Sequence, residues 1–100
     1  MKNIKPLLCD KLELLPNVGP AIAADLRKIG IRRPRDLKQR DPYAMYEKLC
    51  RVTKCRQDPC VLDVFISVVR FMGGAPPKPW WAYTAERKRT LRKTARSRKR

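Results

Sequence analysis

Asp41-Pro42 and Asp58-Pro59 constrain the chain more than any other feature. Each joins a carboxylate that can cap exposed amides to a ring whose φ is already near the helical value, so each starts a helix. The second of these helices carries the apolar run Cys60 to Met72, interrupted by Asp63, Ser67 and Arg70 at i, i+4 and i+7. A helix that is apolar nearly all round must be the central, most buried element. The run is longer than a typical strand, so no β structure competes.

Three shorter segments precede these two. Asp10 and Glu13 have the capping-box spacing and open a first helix ending near Leu15. Pro16-Asn17-Val18-Gly19-Pro20 form a tight turn. Pro20 then leads a second helix with Ile22, Leu26 and Ile29 on one face and Gly30 as its stop. Arg33-Pro34 begins a short third helix through Leu37, although Arg is a poor N-cap. After Gly73-Gly74, three prolines stiffen the approach to Trp80, Trp81 and Tyr83, and beyond Thr84 only Leu91 is a large apolar residue. The expected architecture is all-α: a compact five-helix domain over residues 1–75, a Pro/aromatic linker packed on it over 76–83, and a basic, flexible, disordered tail over 84–100.

Charge narrows the partner. The chain has 25 Lys and Arg against 9 Asp and Glu, a net of +16, which favours a polyanion such as nucleic acid. Lys78 to Arg100 alone holds ten basic residues and one acid, Glu86, a net of +9 that leaves +7 for the rest. No apolar run approaches the roughly 18 residues needed to span a bilayer, and the stretch before Cys9 is too short for a signal peptide. The expectation is a cytoplasmic monomer, free or associated with the nucleoid, with no membrane partner and with reduced cysteines.

Leu15-Pro16-Asn17-Val18-Gly19-Pro20-Ala21-Ile22-Ala23-Ala24-Asp25-Leu26 resembles the helix-hairpin-helix motif. The motif's turn exposes backbone amides, and the next helix adds its own unpaired amides and positive dipole end, so a phosphate can dock without regard to base sequence. Asn17 stands where the motif usually has its first Gly, and Asn tolerates positive φ. Ala21 stands where many DNA-binding copies have Lys, and Asp25 adds a negative charge further along. The helix order is similar to the tandem helix-hairpin-helix, SAM-like fold of the C-terminal domain of TfoX-type competence regulators. In that reading Leu49 to Pro59 is a degenerate second hairpin without Gly, to which Lys54 and Arg56 contribute charge.

Leu15 to Ile31, Asp41 to Cys50, Asp58 to Leu62 and Trp80-Trp81 also resemble the small bacterial proteins of the "pathogenicity locus", or mitomycin-resistance-related, family, over roughly residues 10–83. The resulting expectation is sequence-independent binding of DNA or another nucleic acid, with a place in DNA repair or uptake. Its contacts are Asn17, Val18, Gly19 and Ala21 in the turn, and Arg27, Lys28, Arg32, Arg33, Lys54 and Arg56 around it. Arg87, Lys88, Arg89, Arg92, Lys93 and Arg96 join them from the tail. The alternative is a protein-interaction adaptor carrying a basic tether.

Cys50-x4-Cys55-x4-Cys60, with Cys9 as a fourth ligand, permits a zinc reading, but structural zinc sites favour closer pairs and the chain has no His. The expectation is no metal and no cofactor, with Cys50 and Cys60 as small buried residues between the fourth and fifth helices and Cys55 exposed. The aromatic group can stack on unpaired bases or fold back over the core, and the second is favoured. Without His, a nucleotide loop or an activated nucleophile, no enzyme is expected.

Overall fold

The computed structural model of the chain describes residues 11–98, with side chains through residue 93. Four α-helices are found there: α1, Pro20–Lys28; α2, Pro42–Thr53; α3, Pro59–Met72; and α4, Thr84–Arg98. Short 3-10 turns at Leu12–Leu14, Pro34–Leu37 and Trp80–Tyr83 link them, and no strand occurs among the described residues. No helix there is long and apolar enough to cross a membrane.

The Asp-Pro starts behave as their chemistry requires. Asp41 accepts from the Tyr43 amide at 2.9 Å and Asp58 from the Cys60 amide at 2.8 Å, with Pro at the first helical position each time. Helix α3 is the core. Its Leu62, Phe65, Ile66 and Val68 are fully buried, and it packs against α2, α4 and the turns at Pro34–Leu37 and Trp80–Tyr83.

Three expectations are corrected. The first helix is only a 3-10 turn, because Leu15 precedes Pro16 and takes the extended conformation (φ −70°, ψ 145°) that a following proline imposes. Asp10, its expected cap, lies outside the described residues. The third helix is likewise a 3-10 turn, Pro34–Leu37, and the weakness of Arg33 as a cap is met by Asp36, which accepts from the amides of Arg32 (3.1 Å) and Arg33 (3.0 Å). The five expected helices therefore become three α-helices and two 3-10 turns, and the Trp80–Tyr83 turn and α4 are additional to them.

The third correction is the largest. Residues 84–98, expected to be disordered, form α4, and what holds it is polar. Asp63 on α3 is fully buried; it accepts from the Thr84 hydroxyl at 2.7 Å and from Arg87 Nε and Nη2 at 2.8 and 3.2 Å. Arg70, two turns further along α3, makes a two-pronged pair with Glu86. Of the polar strip of α3, Asp63 and Arg70 thus seat α4, and Ser67 meets the hairpin turn through Asn17. A buried carboxylate needs such partners, since an unpaired buried charge is strongly destabilising.

Candidate nucleic-acid interface

The hairpin turn before α1 is built on Asn17, whose φ of +70° is the left-handed conformation that Asn tolerates best after Gly. Its side-chain amide donates to Lys78 O at 2.7 Å and to Ser67 Oγ at 3.2 Å, tying the turn to the proline segment and to α3. Val18 is buried and its amide bonds to Leu15 O at 3.2 Å, so Val18 shapes the turn.

Gly19 caps α1 with no side chain. Its carbonyl accepts from Ala23 N at 3.0 Å, while the amides of Gly19, Ala21 and Ile22 have no acceptor among the described residues. The helices α2 and α3 differ, because a carboxylate of the chain occupies each of their N-termini. The degenerate second hairpin shows the consequence: Lys54 takes the left-handed position (φ +56°), but Asp58 closes the start of α3 with its own anion. Amide hydrogen bonding holds the Asp58 carboxyl below its ordinary range, which keeps it charged there.

The expected cations divide into two groups. Arg27 is paired with Glu13 at 3.1 Å and Lys28 with Asp25 at 3.6 Å, both at the C-terminal end of α1, far from its open amides. Arg56 lies 4.0 Å from Glu47. Arg87, expected to face a ligand, points inward with its side chain only 12% exposed, and the bond to Asp63 raises its pKa further. Arg32, Arg33 and Lys54 are exposed and form no ion pair among the described residues.

Lys88, Arg89, Arg92 and Lys93 form the second group. All four are exposed and unpaired among the described residues, on the turns of α4 that follow the anchoring Thr84 and Arg87. Arg96 belongs to the same helix, in the part whose side chains lie outside the described residues.

One basic residue escaped the sequence reading. Lys78 lies beside the hairpin turn, where an open concavity of about 270 Å³ is lined by Asn17, Pro77, Lys78 and Pro79. A lysine between two prolines, held on a stiff segment, was its available signal. Of the aromatics, Tyr83 is buried and Trp80 packs on the core, whereas Trp81 faces solvent. Cys50 and Cys60 are half-buried and Cys55 is exposed; Cys9 is outside the described residues, within which no group of potential metal ligands converges.

Taken together, these features define a small, basic, all-helical protein in which one apolar helix seats a cationic one. The chain belongs to the Cdd1 family, described as a pathogenicity locus, whose profile matches residues 7–89. It is similar to the mitomycin resistance protein McrB of Streptomyces lavendulae, at 44% identity over 80 residues, covering 80% of this chain and 76% of that protein. No solved structure matches. The family match runs past the aromatic turn and takes in Thr84, Glu86 and Arg87, the residues that dock α4.

Proposed function

We propose that this chain binds nucleic acid, DNA being the expected polymer, through phosphate contacts made without regard to base sequence. The outward face of α4 supplies affinity and the open N-terminus of α1 supplies orientation. The observation that carries this reading is the row Lys88, Arg89, Arg92 and Lys93, cations left without carboxylate partners among the described residues on a helix that is itself docked. Residues at i, i+1, i+4 and i+5 share a face, and successive turns advance by about 5.4 Å, so a fixed helix can lay several cations along one phosphate strand.

The helix-hairpin-helix reading of residues 12–28 supports the second element, as does the tandem, SAM-like arrangement in which 49–59 is the altered hairpin. DNA repair or uptake in the cytoplasm is the setting this activity would serve. Half-exposed Leu14 and Val52 favour the adaptor reading instead, with a protein as partner.

A salt titration of duplex binding separates the two. Replacing Lys88, Arg89, Arg92 and Lys93 together by Gln keeps α4 anchored through Arg87 and removes four phosphate contacts. The slope of log affinity against log salt should then fall by roughly 3 to 4 units, at about 0.9 per phosphate. An unchanged slope, or parent binding indifferent to salt, overturns the proposal and leaves the adaptor.

A further inference from the structure

Trp81 is the most exposed large apolar side chain among the described residues, at 63%. Its place in the turn explains why. Trp80 takes the inward position against the core and Tyr83 is buried, which leaves Trp81 on the outside. The two indoles meet edge to face, with centroids 5.5 Å apart and planes at 85°. A ring covered on both faces could not expose so much of its surface, so one face of Trp81 lies open to water. Leaving that apolar surface wet opposes stability.

The turn that carries the ring is also held in place. Pro79 precedes it with a fixed φ, Ala82 N bonds to Pro79 O at 3.0 Å, and α4 begins directly after the turn. The flanks of Trp81 are cationic: Lys78 stands three residues before it, fastened to the hairpin through Asn17, and the unpaired face of α4 follows. A rigid, one-sided aromatic surface between two phosphate-binding elements meets the requirements of a stacking platform, since every base has a π-face and little ordering cost remains.

We propose that Trp81 stacks on an unpaired nucleobase and gives this chain a preference for single-stranded or locally opened nucleic acid over intact duplex. In a duplex each base face is already stacked on its neighbours, so an indole fixed on the protein surface gains nothing there. In a single strand the face is available while Lys78 and α4 hold the flanking phosphates. The inference rests on the nucleic-acid reading above but adds a ligand class to it.

The test uses the full chain, a labelled mixed-sequence oligonucleotide, and the same strand annealed to its complement, at one fixed salt concentration. Trp81→Ala should weaken single-strand binding by about 5- to 100-fold and duplex binding by less than about twofold. Trp81→Phe should keep most of the affinity, because a phenyl ring still stacks, and circular dichroism should show both variants folded. Indole fluorescence should be quenched when the single strand binds the parent, and the quenching should largely vanish in Trp81→Phe.

Equal loss on both forms, or no loss on either, overturns the stacking role, and the second result leaves the indole as a contact for a protein partner. If the unmodified chain binds neither form, the nucleic-acid reading itself fails. If it binds with a steep salt dependence and Trp81→Ala binds the single strand as tightly as the parent does, only the stacking inference fails.

Discussion

A carbon added at Gly19 meets nothing within 4 Å, and the residue's φ of −102° lies in a region open to any amino acid. The turn therefore does not need glycine at this position for its own sake; Asn17 supplies the left-handed step. That separates folding from binding at a single residue. Gly19→Val should lower the thermal midpoint by only a few degrees, Val being a poorer N-cap than Gly, while placing a branched side chain beside the amides of Gly19, Ala21 and Ile22. If a phosphate docks there, affinity for duplex DNA should fall about tenfold, the scale of one charge-assisted hydrogen bond to a backbone amide. Binding equal to the parent's would make the hairpin a structural connection only. A side chain that met the fold itself could not have drawn this distinction.

Among the elements, most starts are secured by a carboxylate and that of α1 is not, and pH should tell them apart. Asp58 and Asp36 both sit below the ordinary carboxylate value of 3.8, held there first by backbone amides, from Cys60 for Asp58 and from Arg33 then Arg32 for Asp36. A depressed folded pKa means the stabilisation is fully present above the unfolded value and is lost as pH falls through the folded one. Helix α3 and the Pro34–Leu37 turn should therefore weaken as pH falls below about 4. Asp58→Asn should flatten that dependence while preserving stability at neutral pH, because Asn caps nearly as well and takes up no proton. Denaturant unfolding monitored across this range checks it; equal acid sensitivity in the parent and Asp58→Asn would remove the α3 cap as a contributor. Helix α1, starting at Gly19, has no carboxylate to titrate there.

At the scale of the whole molecule, the Asp63 carboxylate joins a helix with little apolar surface to the core. Deleting everything after Tyr83 removes Thr84 and Arg87 and leaves Asp63 buried without partners. Such a break costs about 3–5 kcal/mol, a large share of a small domain's stability. Cutting after Leu91 keeps the anchors and removes Arg92, Lys93 and the residues beyond, so it should cost much less. Thermal unfolding of the two truncations, with Arg87→Ala in the intact chain, measures the anchor; if Arg87→Ala is as stable as the parent, α4 is not held by Asp63. Tail deletion is consequently a poor probe of binding, whereas neutralising the outward cations leaves the fold alone.

Helix starts, turns and the central apolar helix were legible because they depend on local chemistry. Asp before Pro, Asn in a left-handed step and Gly30 after α1 each act over a few residues, and the run from Cys60 to Met72 has too few polar positions to lie anywhere but the core. Composition likewise gave the sign of the charge and where it concentrates. What the sequence could not assign was which charges remain free. Asp63 and Arg87 are 24 residues apart and Asn17 and Lys78 are 61 apart; only the packing of α3 brings the members of each pair together. The same packing turned a segment too polar to build a core into a docked helix, because one buried carboxylate, satisfied by an arginine and a threonine, does for α4 what an apolar stripe does for its neighbours. It also decided which of two adjacent tryptophans faces water, since a short turn over a helix has room to bury one and must leave the other outside.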